Sequence, residues 1–389
     1  MISKTSKIRG WFRRSGPGHR RGVLLVVLGV VLAVVLLIVI EVWTAPGQRS
    51  SVPAPAARNA LFNRTDLIYG SQIGAWDMNG GAVASNPVAF NNAKAADIRV
   101  VRFQMFDRPT DLGGTESAAT FDSALATIRN LGAIPLIGLP PNSGRQLPGG
   151  REPWSYQWQQ WVVQHAAAHG AVLFEMANEP DNALYGRLTA AQYFHDYWVN
   201  VPRLKAYARS LGHTIYVGGP AWAGWFPRDL ADVETFLTLC RQAYYAHGRD
   251  PAWIPDFVSV HLYGGGPATG GQARIAMWGS LFDQLRVWID AHMPDGRSIK
   301  LANSEYNYGI QAKAGMTWHD QAAMTAYYNA MFAMAKAKAP DGSQRLWMMN
   351  QFCIDSNNGG LDLLNPNGTV RPAYIAFKDN SIAALRAGK

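Results

Sequence analysis

The chain has 389 residues, with 36 Lys and Arg against 27 Asp and Glu and a formal net charge of +9. Seven of the basic residues (Lys4, Lys7, Arg9, Arg13, Arg14, Arg20 and Arg21) precede the first acid at Glu41, and the other 29 nearly balance the 27 acids. That near-neutral remainder has no basic stripe for nucleic acid, and the length suits one large domain or two ordinary ones.

Residues 1–22 read as a basic cytoplasmic segment. Residues 23–40 follow without a charge, all apolar apart from Gly29. As a helix they would rise roughly 27 Å, close to the hydrocarbon thickness of a bilayer. Trp43 could sit at headgroup level, so 23–43 predicts a single-pass anchor with the basic flank inside and the rest of the chain outside the cytoplasm. The rival is a cleaved signal peptide giving a secreted protein, but its small-x-small site, Ala54-Pro55-Ala56, lies far downstream of the apolar run. Residues 44–65, rich in Pro and Ala, read as a linker.

From residue 66 to 389 the texture is uniform and predicts one domain. Apolar runs of strand length occupy 67–75, 98–103, 134–139, 172–177, 214–218, 257–262, 300–304 and 345–351. Helix-compatible spacing occupies 121–131, 158–169, 190–211, 233–246, 279–292 and 319–337, and about ten residues after Phe377 read as a helical tail. Eight strands alternating with helices is the arithmetic of a (β/α)8 TIM barrel. A doubly wound sheet would show a glycine fingerprint after its first strand, and Gly70-Ser71-Gln72-Ile73-Gly74 lacks that spacing. Cys240 and Cys353 are too few and too distant for a metal cluster. They leave a disulfide and two buried thiols both open.

Two carboxylates close apolar runs in matching contexts: Glu179 in Phe174-Glu175-Met176-Ala177-Asn178-Glu179-Pro180, and Glu305 in Leu301-Ala302-Asn303-Ser304-Glu305-Tyr306-Asn307. They fall at the ends of strands four and seven, where barrels keep their catalytic groups. Paired carboxyl groups suit cleavage of a glycosidic bond: one protonates the leaving oxygen, and the other attacks the sugar or activates water. Glu175 falls deep in the barrel by strand parity. Arg102 is a charge inside an apolar strand and requires a partner. His261 and Tyr263, two apart at the end of strand six, share one face. The chain carries 14 Trp, and Trp faces suit the apolar faces of sugars. Trp222 and Trp225, after strand five, are therefore candidates for outer sugar subsites.

The run around Glu179 resembles the Asn-Glu-Pro signature of the clan of retaining (β/α)8 glycosidases. It is most similar to the Phe-Glu-Ile-Trp-Asn-Glu-Pro form of glycoside hydrolase family 39, the β-xylosidase and α-iduronidase family; Ala177 stands where that family commonly has Trp. The resemblance implies that Glu179 is the acid/base and Glu305 the nucleophile. It implies that Asn178 binds the 2-hydroxyl of the attacked sugar, that Arg102 orients Glu305, that Tyr263 of the His261-x-Tyr263 pair donates to Glu305, and that Trp347 on strand eight floors the sugar pocket. Glu179 should have its pKa raised by burial and by Glu305, while Arg or Tyr donors keep Glu305 ionised. The expected activity is retaining hydrolysis of an extracellular poly- or oligosaccharide, with no metal or organic cofactor. An endo mode is expected because the chain lacks the second β-domain often appended to exo-acting members. An exo-β-glycosidase, a transglycosylase and a catalytically inactive carbohydrate-binding barrel are the alternatives.

Overall fold

A computed structural model describes residues 61–62, 64, 66–73, 81–104, 108–140, 155–183, 186–265, 271–309, 320–355 and 361–387. The expected anchor and nearly all of the expected linker lie outside the described residues. Among those described, no helix is long and apolar enough to cross a membrane.

Eight parallel strands close into a barrel in chain order: β1 (Ile68–Gln72), β2 (Val100–Gln104), β3 (Ile134–Leu139), β4 (Leu173–Met176), β5 (Tyr216–Trp222), β6 (Phe257–Tyr263), β7 (Lys300–Asn307) and β8 (Met348–Gln351). β1 pairs with both β2 and β8, so no edge is left open. Alternation along the strands sorts the side chains into two cores. Residues on the outward faces, such as Val101, Phe103, Ile137, Phe174, Val217 and Val258, pack against the helices. Ile68, Val100, Leu136, Leu173, Phe257, Ala302 and Met348 fill the base of the barrel interior. Above this apolar base the interior turns polar, with Arg102, Glu175, Ser259, His261, Ser304 and Asn350 all buried. A barrel base of this kind is a packed floor, and the chemistry sits on the opposite, C-terminal rim.

Three departures from the periodicity have local causes. The expected helix 190–211 is two, Ala190–Asp196 and Val201–Ser210, with a 3-10 turn between them. Pro202 sits in the first turn of the second helix, where its missing N–H costs nothing. β5 runs on to Trp222, past the Gly218-Gly219-Pro220 run that reads as a stop, and its pairing with β6 shifts register between Pro220 and Trp222. β7 runs on to Asn307 through a bulge, where the register with β6 passes from Val260↔Asn303 to His261↔Glu305. The Asn303 side chain pins that bulge, donating Nδ2 to Val260 O at 2.9 Å and to Glu305 O at 2.7 Å. Bulges re-aim side chains. Here the extra residue sets Glu305 directly beside His261. Cys240 and Cys353 are buried free thiols.

Candidate active site

The segment leaving β4 is held in an unusual backbone. Ala177 and Glu179 both adopt left-handed conformations, with φ of 72° and 45°. Such angles cost a non-glycine residue of order 1–3 kcal/mol each and persist only where surrounding structure fixes them. Two backbone hydrogen bonds do so: Ala177 N donates to Leu139 O at 3.2 Å, and Glu179 N to Ala221 O at 3.0 Å. The β4 exit is thereby stitched to its neighbours β3 and β5.

Arg102 organises the floor of the site. Fully buried on β2, it donates Nε to Glu175 Oε2 at 2.8 Å, Nη2 to Asn178 Oδ1 at 2.8 Å and Nη1 to Gln72 Oε1 at 3.0 Å; Nη1 also pairs with Glu305 Oε1. Burial alone would lower the pKa of the guanidinium, but the charges of Glu175 and Glu305 outweigh it and hold Arg102 charged. Glu175 lies deep in the barrel, as its parity requires. The Asn178 amide has its oxygen committed to Arg102, which leaves Nδ2 as the donor it can offer a ligand.

Glu305 receives its second donor from Tyr263, whose Oη lies 2.6 Å from Oε2. Burial, followed by the charge of Glu305, pushes the Tyr263 phenol far above its ordinary range, so it stays a donor. Glu179 accepts from His261 Nδ1 at Oε1, 2.8 Å, and from Asn182 Nδ2 at Oε2, 2.7 Å. His261 Nδ1 also lies 3.5 Å from Glu305 Oε2. One ligand-type atom from each of Glu179, His261 and Glu305 falls within 4.8 Å of the others. A trio of this composition could coordinate a cation. Each of its four carboxylate oxygens, however, already accepts from a protein donor, and the Arg102 guanidinium stands on Glu305. The cluster is thus a hydrogen-bonded one in which both carboxylates are already engaged.

The charge state of Glu179 runs against expectation. Burial pushes its pKa up, but the hydrogen bond and charge of His261, then the Asn182 amide, outweigh burial and hold it below the ordinary 4.5. For His261 burial acts downward, and the Glu305 charge with the Glu179 hydrogen bond carries it above 6.5. The Oε1–Nδ1 hydrogen bond couples the two groups and favours the ionised carboxylate of Glu179 and the protonated imidazole of His261. The sequence argument counted Glu305 as a neighbour of Glu179 and missed His261, the nearer partner.

Three aromatic assignments are corrected. Trp347 precedes β8 at the N-terminal end of the barrel, stacked on Phe62 at 4.7 Å with its Nε1 donating to Leu61 O at 3.2 Å. It belongs to the apolar base, at the opposite end from Glu179 and Glu305. The aromatic that closes β8 on the rim is Phe352, whose ring centre is 6.2 Å from that of Tyr263. Trp222 and Trp225 are each 0% exposed. Trp222 packs edge-on against Tyr193 at 5.4 Å, and Trp225 against Phe282 at 5.1 Å. Both are core residues under the helices and offer no face to a sugar. Sequence reasoning also passed over Asn182 and Gln72. Asn182, three residues after Glu179 in the same tight turn, carried a signal in its spacing; Gln72, a polar residue closing β1 on another strand, carried none.

No family model matches the sequence, and no curated protein matches it. Solved structures do. A monomeric β-xylosidase from Caulobacter crescentus superposes with a TM-score of 0.55 at 16% identity, over 80% of this chain and 67% of that one. The family 39 enzyme of Xanthomonas axonopodis pv. citri gives 0.52 at 15% identity, over 80% and 65%. A bacterial orthologue of human α-L-iduronidase gives 0.58 at 12% identity, over 82% and 56%. The chain thus has the (β/α)8 barrel of the family 39 glycoside hydrolases and is structurally similar to them. It spans between about half and two thirds of the length of these proteins.

Proposed function

We propose that this protein is a retaining glycoside hydrolase that cleaves a polysaccharide or oligosaccharide outside the cytoplasm in endo fashion, held at the cell membrane by residues 23–43. The observation that carries the reading is the pairing of Glu179 and Glu305: two carboxylates with oxygens within 4.8 Å of each other and opposite support. A retaining mechanism needs carboxyl groups about 5–5.5 Å apart, and an inverting one about 6.5–9.5 Å, to admit a water. Glu305, aimed by Arg102 and Tyr263, acts as nucleophile on the anomeric carbon. Glu179 delivers a proton to the departing oxygen, drawing on that of its hydrogen-bonded partner His261. It then takes a proton from the water that hydrolyses the glycosyl–enzyme. Asn178 binds the 2-hydroxyl through Nδ2, the donor its bond to Arg102 leaves it, a contact that tightens in the transition state. No step calls on a metal or organic cofactor.

The test is an anomeric time course. Full-length protein in detergent is screened against aryl glycosides and a polysaccharide panel, and the first product of any cleaved substrate is followed by proton NMR. The retained anomer should form first; the inverted anomer forming first would sink the double displacement.

The membrane placement is tested separately. Protease added to intact cells should remove the barrel and leave a small basic stub. Full-length activity in the soluble fraction, with an N-terminus near residue 57, would favour a cleaved leader.

A further inference from the structure

Two histidines and an aspartate converge on helices that contribute nothing to the catalytic cluster. Asp122 lies on the helix Ala118–Asn130, which follows β2, and His165 on the helix Ser155–Ala168, which follows β3. His169 comes just after that second helix, but its N–H still donates to His165 O at 3.3 Å, so the helical spacing continues. Side chains four apart on a helix stand on one face. Both rings approach the same carboxylate oxygen: His165 Nδ1 lies 3.4 Å and His169 Nε2 3.2 Å from Asp122 Oδ1.

A structural ion pair would set a Lys or Arg against Asp122, and among the described residues none pairs with it; its partners are the two imidazoles. Their distances are long for N–H···O hydrogen bonds, which cluster near about 2.9–3.0 Å. They match another length. With bonds of about 2.1 Å, neighbouring donor atoms on a tetrahedral zinc stand about 3.4 Å apart. Two imidazole nitrogens and one carboxylate oxygen are a zinc ligand set, and a histidine pair at i, i+4 presents two of them from one helix face. The His165 ring is already fixed. It stacks on Trp161 at 3.9 Å and 23°, and Trp161 Nε1 donates to Asp111 Oδ2 at 3.3 Å. The two nitrogens stand wider apart than a bound ion would hold them. The His169 side chain is 27% exposed, and a rotation of its ring closes that gap. The catalytic trio differs in the respect that matters: the Arg102 guanidinium stands on its Glu305, whereas no Lys or Arg among the described residues competes for Asp122.

We propose that Asp122, His165 and His169 bind a divalent transition-metal ion of the zinc type, with water completing its shell, and that the ion staples the helix after β2 to the helix after β3. Imidazole ligands suit zinc, copper, nickel or cobalt; magnesium and calcium prefer all-oxygen shells. The site lies outside the glycosidic chemistry and acts on stability. An ion held by the folded chain, from ligands that only the fold brings together, stabilises the folded state.

The experiment uses full-length, untagged protein in detergent, stripped with a chelator and titrated with zinc chloride by calorimetry. Wild type, His165→Ala, His169→Ala, Asp122→Asn and Glu179→Ala are compared, each after its metal-free Tm has been measured. Wild type should bind one zinc per chain. Each of the three site variants should weaken binding by at least about tenfold, since even the outer partners of metal ligands are worth that much. Glu179→Ala, which dismantles the catalytic trio, should bind zinc as wild type does. Excess zinc should raise the Tm of wild type and not that of His169→Ala, and magnesium should raise neither. His169, partly exposed beyond the helix end, is the replacement least able to disturb the fold, so its titration stands even if another variant fails to fold. Absence of stoichiometric zinc binding, binding undiminished in His169→Ala, or binding lost only in Glu179→Ala would overturn the proposal.

Discussion

Glu305→Gly should lower turnover by roughly 10⁴-fold or more, the scale on which loss of a covalent nucleophile is felt, and azide should restore part of it. The geometry states why. Glu305 is the carboxylate with two fixed donors of low acidity, a buried guanidinium and a buried phenol, and neither can hand it a proton. Glycine at this position removes the attacking oxygen and opens a space into which a small anion fits beside Arg102. Azide attacking from that space yields a glycosyl azide of inverted configuration, because only one displacement occurs. Arg102 keeps Glu175 as a buried partner in the variant, so the fold should survive, and an unchanged circular dichroism spectrum would separate lost chemistry from lost structure. Substantial residual turnover without azide would remove Glu305 from the role of nucleophile.

Much of this site is written in the sequence, and the parts that are not share a cause. Eight apolar runs sufficed for the barrel, because parallel strands buried on both faces leave a continuous apolar signal. Glu179 and Arg102 were legible because a charge beside or inside such a run must be paired or functional. Glu305 was legible as a residue but not as a geometry: it lies within β7, and the bulge pinned by Asn303 turns it to His261. A bulge of one residue leaves no trace in periodicity. Trp347 failed for a related reason. An aromatic next to a strand reads alike at either end, and only the register of β8 shows that Trp347 opens the strand while Phe352 closes it. Trp222 and Trp225 failed because β5 continues through the glycines and proline that read as its end, carrying Trp222 onto the face turned to the helices. The charge on Glu179 depends on His261, 82 residues away in sequence, and pairwise distance of that kind is set by the barrel alone.

Glu179→Ala should split substrates by their leaving groups. On saccharides and alkyl glycosides it should cost 10²- to 10⁴-fold in kcat, the range of general acid catalysis; on dinitrophenyl glycosides bond cleavage needs no proton and should largely survive. The pH dependence gives a sharper reading, because Glu179 and His261 are hydrogen-bonded and their titrations are coupled. As pH rises through the raised value of His261, above its ordinary 6.5, the His261 proton is lost and no acid remains. Wild type should therefore show a basic limb above pH 6.5 on saccharides, and Glu179→Ala should lose that limb on activated substrates. Stability follows the same pair with opposite signs at its two ends. The His261 contribution, from a raised pKa, is complete below about 6.5 and disappears as pH rises through the folded value. The Glu179 contribution, from a lowered pKa, is complete above the ordinary 4.5 and disappears as pH falls through the folded value. The interaction is thus whole between about pH 4.5 and 6.5, and the drop in Tm caused by Glu179→Ala should be largest in that window and shrink on either side. A drop in Tm that does not vary with pH would mean that the two titrations are not coupled. His261 would then only position Glu179, and the acid would have to draw its proton from solvent or substrate.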